Sequence, residues 1–280
     1  MSYRIDQICN EFGISRQGYY KARNQQQKTA GDQTKLIQEV LALRRQMPML
    51  GGRKLYVLLK GEIESLSAPL GRDKFFELLK QNHFLIKQKK YRPKTTESRH
   101  RFKKYANLIK DLEVNKINQV HVSDITYLRT VDRFCYLFLI TDLYSRSILG
   151  EEVSESLAIE GGLRALKMAT AKMQTTRGSI HHSDRGIQYC SNIYTEKLAS
   201  LGIKISMAEQ ANPYENAVAE RVNGILKQEF MLDRTFPSIE TARKAVKEAI
   251  RIYNQQRPHM SLGYKTPNQV YYANDELSTY

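Results

Sequence analysis

The pattern of apolar residues between positions 119 and 207 is the feature that most constrains the fold of this chain. Three runs with the alternation typical of strands come first, separated by turn residues: 119–129, 133–141 and 146–153. The runs that follow alternate between helical spacing and short apolar stretches: 157–173, 180–183, 192–201 and 203–207. Three strands followed by alternating helices and strands predict an α/β fold, a mixed five-stranded sheet with flanking helices.

The region before the sheet has helical spacing only. Ile5, Ile8 and Phe12 would share one face of a first helix, and Ser15 is a suitable N-cap for a second. A polar, Gln-rich stretch at 24–32 suggests a linker. We therefore predict a helical pair over 1–31 and an all-α, helix-turn-helix-like module over 32–92. The helical pair would bind either DNA or a partner chain, and its residues favour neither.

The charge of the chain points to a polyanionic partner. The 280 residues include 44 Lys and Arg against 29 Asp and Glu, a net charge of +15. A membrane is the less favoured partner, because the longest apolar run, 134–140, is far shorter than the roughly 18 residues of a spanning helix. The N-terminus also lacks the apolar core of a signal peptide. Three dispersed cysteines without a Cys-x-x-Cys motif indicate a reducing cytoplasm and exclude the usual zinc spacings.

Residues 86–104 contain nine basic side chains and one acid, Glu97, and three aromatic residues, Tyr91, Phe102 and the adjacent Tyr105, are interleaved with the charges. This composition is typical of an arm that contacts DNA phosphates, although a solvated linker would also account for it. We predict DNA contact for four of its side chains: Lys87, Lys89, Lys90 and Arg92. The predicted boundaries are a basic linker at 93–117, a catalytic core at 118–233 and a C-terminal helix and tail at 234–280.

Three carboxylates stand out because of where the pattern places them. Asp124 lies inside a strand, where an unpaired charge is rare, and Asp184 ends another strand just before a turn. Glu220 lies on the helix predicted at 215–230. Three such charges brought together need a cation. Oxygen ligands without cysteine select Mg²⁺, or Mn²⁺ in its place, and a pair of such ions supports phosphoryl transfer.

Other polar residues compete for the same role. Asp142 also follows a strand, and we interpret it as a turn-stabilising residue, with metal ligation as the alternative. His181 and His182 could bind a metal, but magnesium prefers oxygen. We interpret one histidine as packed in the strand and the other as near the DNA.

Five motifs occur in order along the second half of the chain: VSDITYL at 122–128, DLYSR at 142–146, HSDRG at 182–186, NPYENAVAE at 212–220 and YNQQRPHMSLGY at 253–264. Together they closely resemble the catalytic frame, OrfB, of bacterial two-reading-frame insertion-sequence transposases. The resemblance implies a ribonuclease-H-like core akin to retroviral integrase. It also implies that Asp124, Asp184 and Glu220 form the catalytic triad.

The resemblance implies partners as well. Lys227, two helical turns after Glu220, would contact the terminal DNA. We also assign DNA contact to three polar side chains close to the triad: Arg185, Asn216 and Asn223. The family acts on terminal inverted repeats and target DNA, which implies a homo-multimer on DNA in the bacterial cytoplasm, at the nucleoid. OrfB is commonly fused to an OrfA partner by ribosomal frameshifting.

We therefore predict a DNA transposase that carries out metal-dependent 3′-end cleavage and strand transfer. A structure-specific nuclease of the same fold is one alternative, although the long basic N-terminal half and the tail argue against it. A non-catalytic DNA-binding relic is the other, and the intact triad argues against that.

Overall fold

The computed structural model describes residues 4–86, 101–209 and 216–273. The chain divides into two compact units, Met1–Gln88 and Lys89–Tyr280, which are described separately. The four basic residues predicted to bind DNA, from Lys87 to Arg92, lie outside the described residues. Along the three described ranges, none of the helices has the length and apolar character needed to cross a bilayer.

The first unit is all-helical. Its helices are α1 (Ile5–Glu11), α2 (Arg16–Gln46), α3 (Gly52–Leu58), α4 (Lys60–Glu64) and α5 (Arg72–Gln81). The predicted N-cap is confirmed, because the Ser15 hydroxyl accepts a hydrogen bond from the Gly18 amide at 2.9 Å. Its core contains buried side chains such as Leu36 of α2, Leu55 of α3 and Phe75 of α5, and α3 packs on α5.

The predicted linker at 24–32 is wrong, and the predicted boundary between residues 31 and 32 falls inside α2. This stretch contains Gln, Lys and Ala, which are good helix formers, so its polar composition continues a helix whose sides are largely exposed. The polar residues show that this part of α2 is exposed, and they do not show where the helix ends.

The second unit is built on one mixed sheet. Its strands are β1 (Val120–Thr130), β2 (Phe134–Asp142), β3 (Ile148–Ser154), β4 (Ile180–Ser183), β5 (Lys204–Met207) and the short β6 (Thr235–Phe236). The first five lie in the order β3-β2-β1-β4-β5, and β6 pairs with β1. The three strands β1 to β3 are antiparallel, whereas β4 and β5 run parallel to β1. The predicted mixed five-stranded sheet is confirmed, and β6 is an addition that the sequence pattern did not reveal.

Helices cover both faces of this sheet. They are α6 (Glu160–Thr170), α7 (Ile187–Cys190), α8 (Asn192–Ser200), α9 (Ala217–Glu229), α10 (Ile239–Gln255) and α11 (Pro267–Ala273). On one face, α6 packs on β2 and β3 while α8 packs on β5, and Phe138, Leu166 and Tyr194 lie in their shared apolar core. Gly150 lets the α6 backbone approach β3, because a Cβ there would collide with the Ala165 carbonyl.

The segments on either side of the predicted core belong to the same compact unit. Before the sheet, the Leu108 amide donates to Ser206 Oγ at 2.8 Å, and Met207 N donates to Ala106 O at 3.3 Å along the outer side of β5. After it, α10 packs on β3, where Arg243 Nε donates to Val153 O at 3.1 Å. In the structure, 101–117 and 234–273 are therefore parts of the second unit, together with the predicted core.

Candidate active site

Parallel pairing brings Asp124 and Asp184 together. Val122 lies opposite His182 in the β1–β4 ladder, and the same register continued by two residues sets Asp124 opposite Asp184. Neighbouring strands are about 4.8 Å apart, and residues two apart share a face of the sheet. Residues 60 apart in sequence thus contribute two carboxylates to one place.

Helix α9 supplies the third carboxylate to this face. Ala219 of α9 packs in a small apolar cluster with Val120 and Val122 of β1. Glu220, the next residue, lies in the first turn of the helix and is exposed. The apolar contact holds this end of the helix on the sheet while the neighbouring carboxylate stays open to solvent.

Two asparagines join α9 to the strand that carries Asp124. Asn216 Nδ2 donates to the Ser123 carbonyl at 3.2 Å, and Asn223 Nδ2 donates to Asp124 Oδ2 at 2.8 Å. The other oxygen of Asp124 accepts the Ile125 amide at 2.9 Å. Both asparagines were predicted to contact DNA, and both are buried in hydrogen bonds to the site itself.

The electrostatics of the site show that the three carboxylates interact. Burial and the nearby charge of Asp184 raise the pKa of Asp124 to about 7, and Glu220 adds to the rise, while the bond from Asn223 opposes it. Burial and Asp184 also raise the pKa of Glu220. Like charges close together disfavour ionisation unless a cation offsets them.

The donor set fits a hard divalent cation. Every candidate ligand is an oxygen, and the Oδ1 atoms of Asn216 and Asn223 are buried without a hydrogen-bond partner. Within the described ranges, no three Asp, Glu, His or Cys side chains already form a closed metal-binding group. A bound cation would offset the repulsion among the three carboxylates and allow them to close around it.

Replacing Asn223 with Ala is expected to lower the strand-transfer rate by about 10–100-fold, the usual cost of removing a group that orients a metal ligand. The melting temperature should change little, because only one hydrogen bond is lost. Rate and calorimetric measurements would be compared with Gln228→Ala, an exposed change on the same helix. Equal rates for the two variants would contradict the orienting role.

Asp142 is a turn residue, as interpreted from the sequence. It is fully buried, and Oδ1 accepts the Ser145 amide and hydroxyl at 2.7 and 2.6 Å. Oδ2 accepts the Asn118 amide at 2.8 Å. These bonds occupy both carboxylate oxygens within the turn that leads from β2 to β3.

Both histidines of β4 are buried, so the interpretation that one lies near the DNA is wrong. His181 Nε2 lies 2.7 Å from Ser123 Oγ and 2.9 Å from the Tyr194 hydroxyl. His182 Nδ1 lies 2.8 Å from Ser206 Oγ. Burial and the neighbouring histidines lower the pKa of His181 to about 3, which keeps it neutral. These buried polar contacts around β4 were not predicted from the sequence, and their one signal is a set of polar residues at buried strand positions.

The remaining predicted DNA contacts lie close to the triad. Arg185 is half-buried in the turn after β4, where the Gly186 amide donates to Asp184 Oδ1 at 3.0 Å. Lys227, also half-buried, lies in the last turn of α9, seven residues after Glu220 and so on nearly the same side of the helix.

A mixed sheet of this order, with three carboxylates brought close together beside it, is the arrangement of a polynucleotidyl transferase. Two family models, each described as an integrase core domain, match residues 114–213 and 201–267. The chain is 34% identical over 265 residues to the "Insertion element IS600 uncharacterized 31 kDa protein" of Shigella sonnei, covering 93% of this chain and 96% of that protein. It is 35% identical over 163 residues to "Transposase InsF for insertion sequence IS3A" of Escherichia coli (strain K12), covering 58% of this chain and 57% of that protein.

The chain belongs to the insertion-sequence transposases that have an integrase-like catalytic core. It is a DNA transposase, which confirms the predicted class of enzyme. Among solved structures, it is similar to the HTLV-2 integrase catalytic core domain in complex with magnesium, with 20% identity and a TM-score of 0.44, covering 56% of this chain and 97% of that one.

Proposed function

We propose that Asp124, Asp184 and Glu220 are the catalytic residues of this transposase and hold a pair of Mg²⁺ ions, for which Mn²⁺ can substitute. The single observation that carries this proposal is the meeting of all three on one face of the sheet, with the pKa of Asp124 raised to about 7. The bound ions would activate the attacking oxygen and stabilise the departing one.

The chain's own groups orient this chemistry. Asn223 fixes Oδ2 of Asp124, and the Ile125 amide fixes Oδ1, so the carboxylate has one orientation. The Gly186 amide does the same for Asp184. In 3′-end cleavage, water attacks a phosphodiester at the end of the element and frees a 3′-hydroxyl. In strand transfer, that hydroxyl attacks a second phosphodiester, so one P–O bond forms as another breaks.

The proposal also covers the DNA and protein partners. The substrates are the terminal inverted repeats and the target DNA, held by a homo-multimer in which Lys227 and Arg185 contact phosphates beside the triad. The basic residues Lys87, Lys89, Lys90 and Arg92 would extend this contact. An OrfA product, separate or fused by frameshifting, is the proposed protein partner. The net charge of +15 supports an extended contact with DNA.

The test uses purified protein, a labelled duplex that ends in the flanking inverted repeat, and Mg²⁺ or Mn²⁺. Joined products that require metal and are absent with Glu220→Gln are expected. Cleavage without joining, with or without fused OrfA, would favour the nuclease alternative. Joining by Glu220→Gln at the wild-type rate would remove Glu220 from the site.

Replacing Lys227 with Glu is expected to weaken binding to the terminal duplex and to lower the slope of log affinity against log salt by about 1, the value for one lost phosphate contact. Fluorescence anisotropy at several salt concentrations measures both. Lys167→Glu, in the last turn of α6, makes the same charge change and serves as the control. An identical salt slope for both variants would place Lys227 outside the DNA interface.

A further inference from the structure

A buried ion pair joins the end of α9 to the motif that follows α10. Arg257 donates from Nε to Glu229 Oε2 and from Nη2 to Glu229 Oε1, each at 2.8 Å. The side chain of Arg257 is 2% exposed and that of Glu229 is 14% exposed. The guanidinium also lies 5.7 Å from the centre of the Tyr253 ring. Buried ion pairs of this kind contribute little net stability, but their bidentate geometry fixes the orientation of the two side chains.

The residues just before Arg257 are fastened to the sheet. Asn254 Nδ2 donates to the Ile148 carbonyl, and Asn254 Oδ1 accepts the Ile148 amide, both at 2.9 Å. The Tyr253 hydroxyl donates to the Arg146 carbonyl at 3.2 Å. The end of α10 therefore has a fixed position relative to β3 and to the turn before it, and Arg257 extends from that fixed point.

The helix that receives this contact is the one that carries Glu220. Glu229 comes nine residues after Glu220, which is about two and a half helical turns, or roughly 13 Å along the axis. The two side chains consequently leave the helix on opposite sides. Asn223 and Lys227, three and seven residues after Glu220, lie on its side. A contact that holds Glu229 thus sets the rotation of α9 and the direction in which Glu220 points.

We propose that Arg257 is a positioning residue of the transposase, which sets the rotation of α9 through Glu229 and so holds Glu220 at the metal site. Arg257 touches neither the ions nor the DNA in this scheme, and it acts only through the helix. The inference rests on the proposed catalytic role of Glu220. It also gives a function to the YNQQRPH motif. Tyr253 and Asn254 hold the end of α10 on the sheet, and Arg257 fixes the rotation of α9 through Glu229.

The decisive variant is the double substitution Glu229→Met with Arg257→Met, which removes both charges at similar volume. A buried ion pair replaced by apolar side chains of similar volume usually keeps its stability, so the melting temperature should remain within a few degrees of wild type. The Mg²⁺ concentration for half-maximal strand transfer should rise about tenfold or more, and kcat should fall by a similar factor. The control is Glu248→Met with Arg251→Met, the same change in an exposed pair on α10, which should alter neither.

Arg257→Lys is a second test that is less disruptive. It keeps the charge but cannot form both contacts, so it should fold and still require severalfold more Mg²⁺. Wild-type Mg²⁺ dependence and rate in both the double variant and Arg257→Lys would overturn the proposal and leave the pair a purely stabilising role. Glu220→Gln in the same assay separates the two ideas. If Glu220→Gln is inactive, wild-type behaviour of the two Arg257 variants counts against the role of Arg257 alone. An active Glu220→Gln would instead overturn the proposed active site.

Discussion

Asp124→Asn is expected to abolish strand transfer, by a factor of about 10³ or more, and at the same time to stabilise the metal-free protein at alkaline pH. The loss of rate follows from removing a charged metal ligand from a reaction that depends on the metal for several kcal/mol of transition-state stabilisation. Strand-transfer assays with labelled inverted-repeat DNA measure it. Gln228→Ala on α9 serves as an active control.

The gain in stability follows from the pKa of Asp124, which the fold raises from 3.8 to about 7. Between these two values the folded carboxyl keeps a proton that the unfolded chain releases. Stability therefore falls as pH rises through this window, and the loss is complete above about pH 7. An amide at this position does not titrate and can still bond to Asn223.

Calorimetry in the presence of a chelator should show a melting temperature a few degrees above wild type at about pH 8, and little difference at about pH 4. Saturating Mg²⁺ should remove the difference by stabilising wild type alone. A variant less stable than wild type at both pH values would show that the Asp124 carboxylate stabilises the fold, contrary to the effect expected from its burial beside Asp184.

Asp142→Ala should have the opposite profile, with a large loss of stability and a working active site. The change leaves the buried donors of Ser145 and Asn118 without their acceptor. At about 1–3 kcal/mol for each of these three donors, the total is about 3–9 kcal/mol, which lowers the melting temperature by roughly 10 °C or more. Thermal denaturation followed by circular dichroism measures this loss.

Asp132→Ala is the matched control, since Asp132 also follows a strand but is exposed in the turn between β1 and β2. That variant should melt close to wild type. At a temperature where both variants are folded, each should retain strand transfer with the wild-type requirement for Mg²⁺. Loss of transfer by folded Asp142→Ala, rescued by more metal, would instead identify Asp142 as a ligand.

Apart from the short elements α7 and β6, the strands and helices of the catalytic unit were predictable to within a few residues, because hydrophobic periodicity is a local property of the chain. The types and positions of the three carboxylates were predictable for a related reason. A charge inside an apolar strand, or at its end before a glycine turn, conflicts with its surroundings unless it has a function. The error at 24–32 has a local cause as well, since an exposed polar helix and a polar linker have nearly the same amino-acid composition.

The roles of the polar side chains around the carboxylates could not be predicted in this way. Asn216, Asn223 and Arg257 were recognisable as members of motifs, but each finds its partner 28 to 99 residues away. Polar side chains on a helix are exposed unless tertiary packing covers them, so the sequence favoured DNA contact for both asparagines. Only the fold shows that they bond to β1.

The sequence by itself therefore determined the order of the secondary structure and the basic character that suits DNA, and it predicted the three carboxylates that the fold places close together. The tertiary structure decided which face of the sheet the carboxylates share, which neighbours orient them and which aspartate belongs to a turn. The physical reason is the range of the interactions. Periodicity and local charge depend on residues that are close in sequence, whereas these hydrogen bonds and pKa shifts depend on groups that only folding brings together.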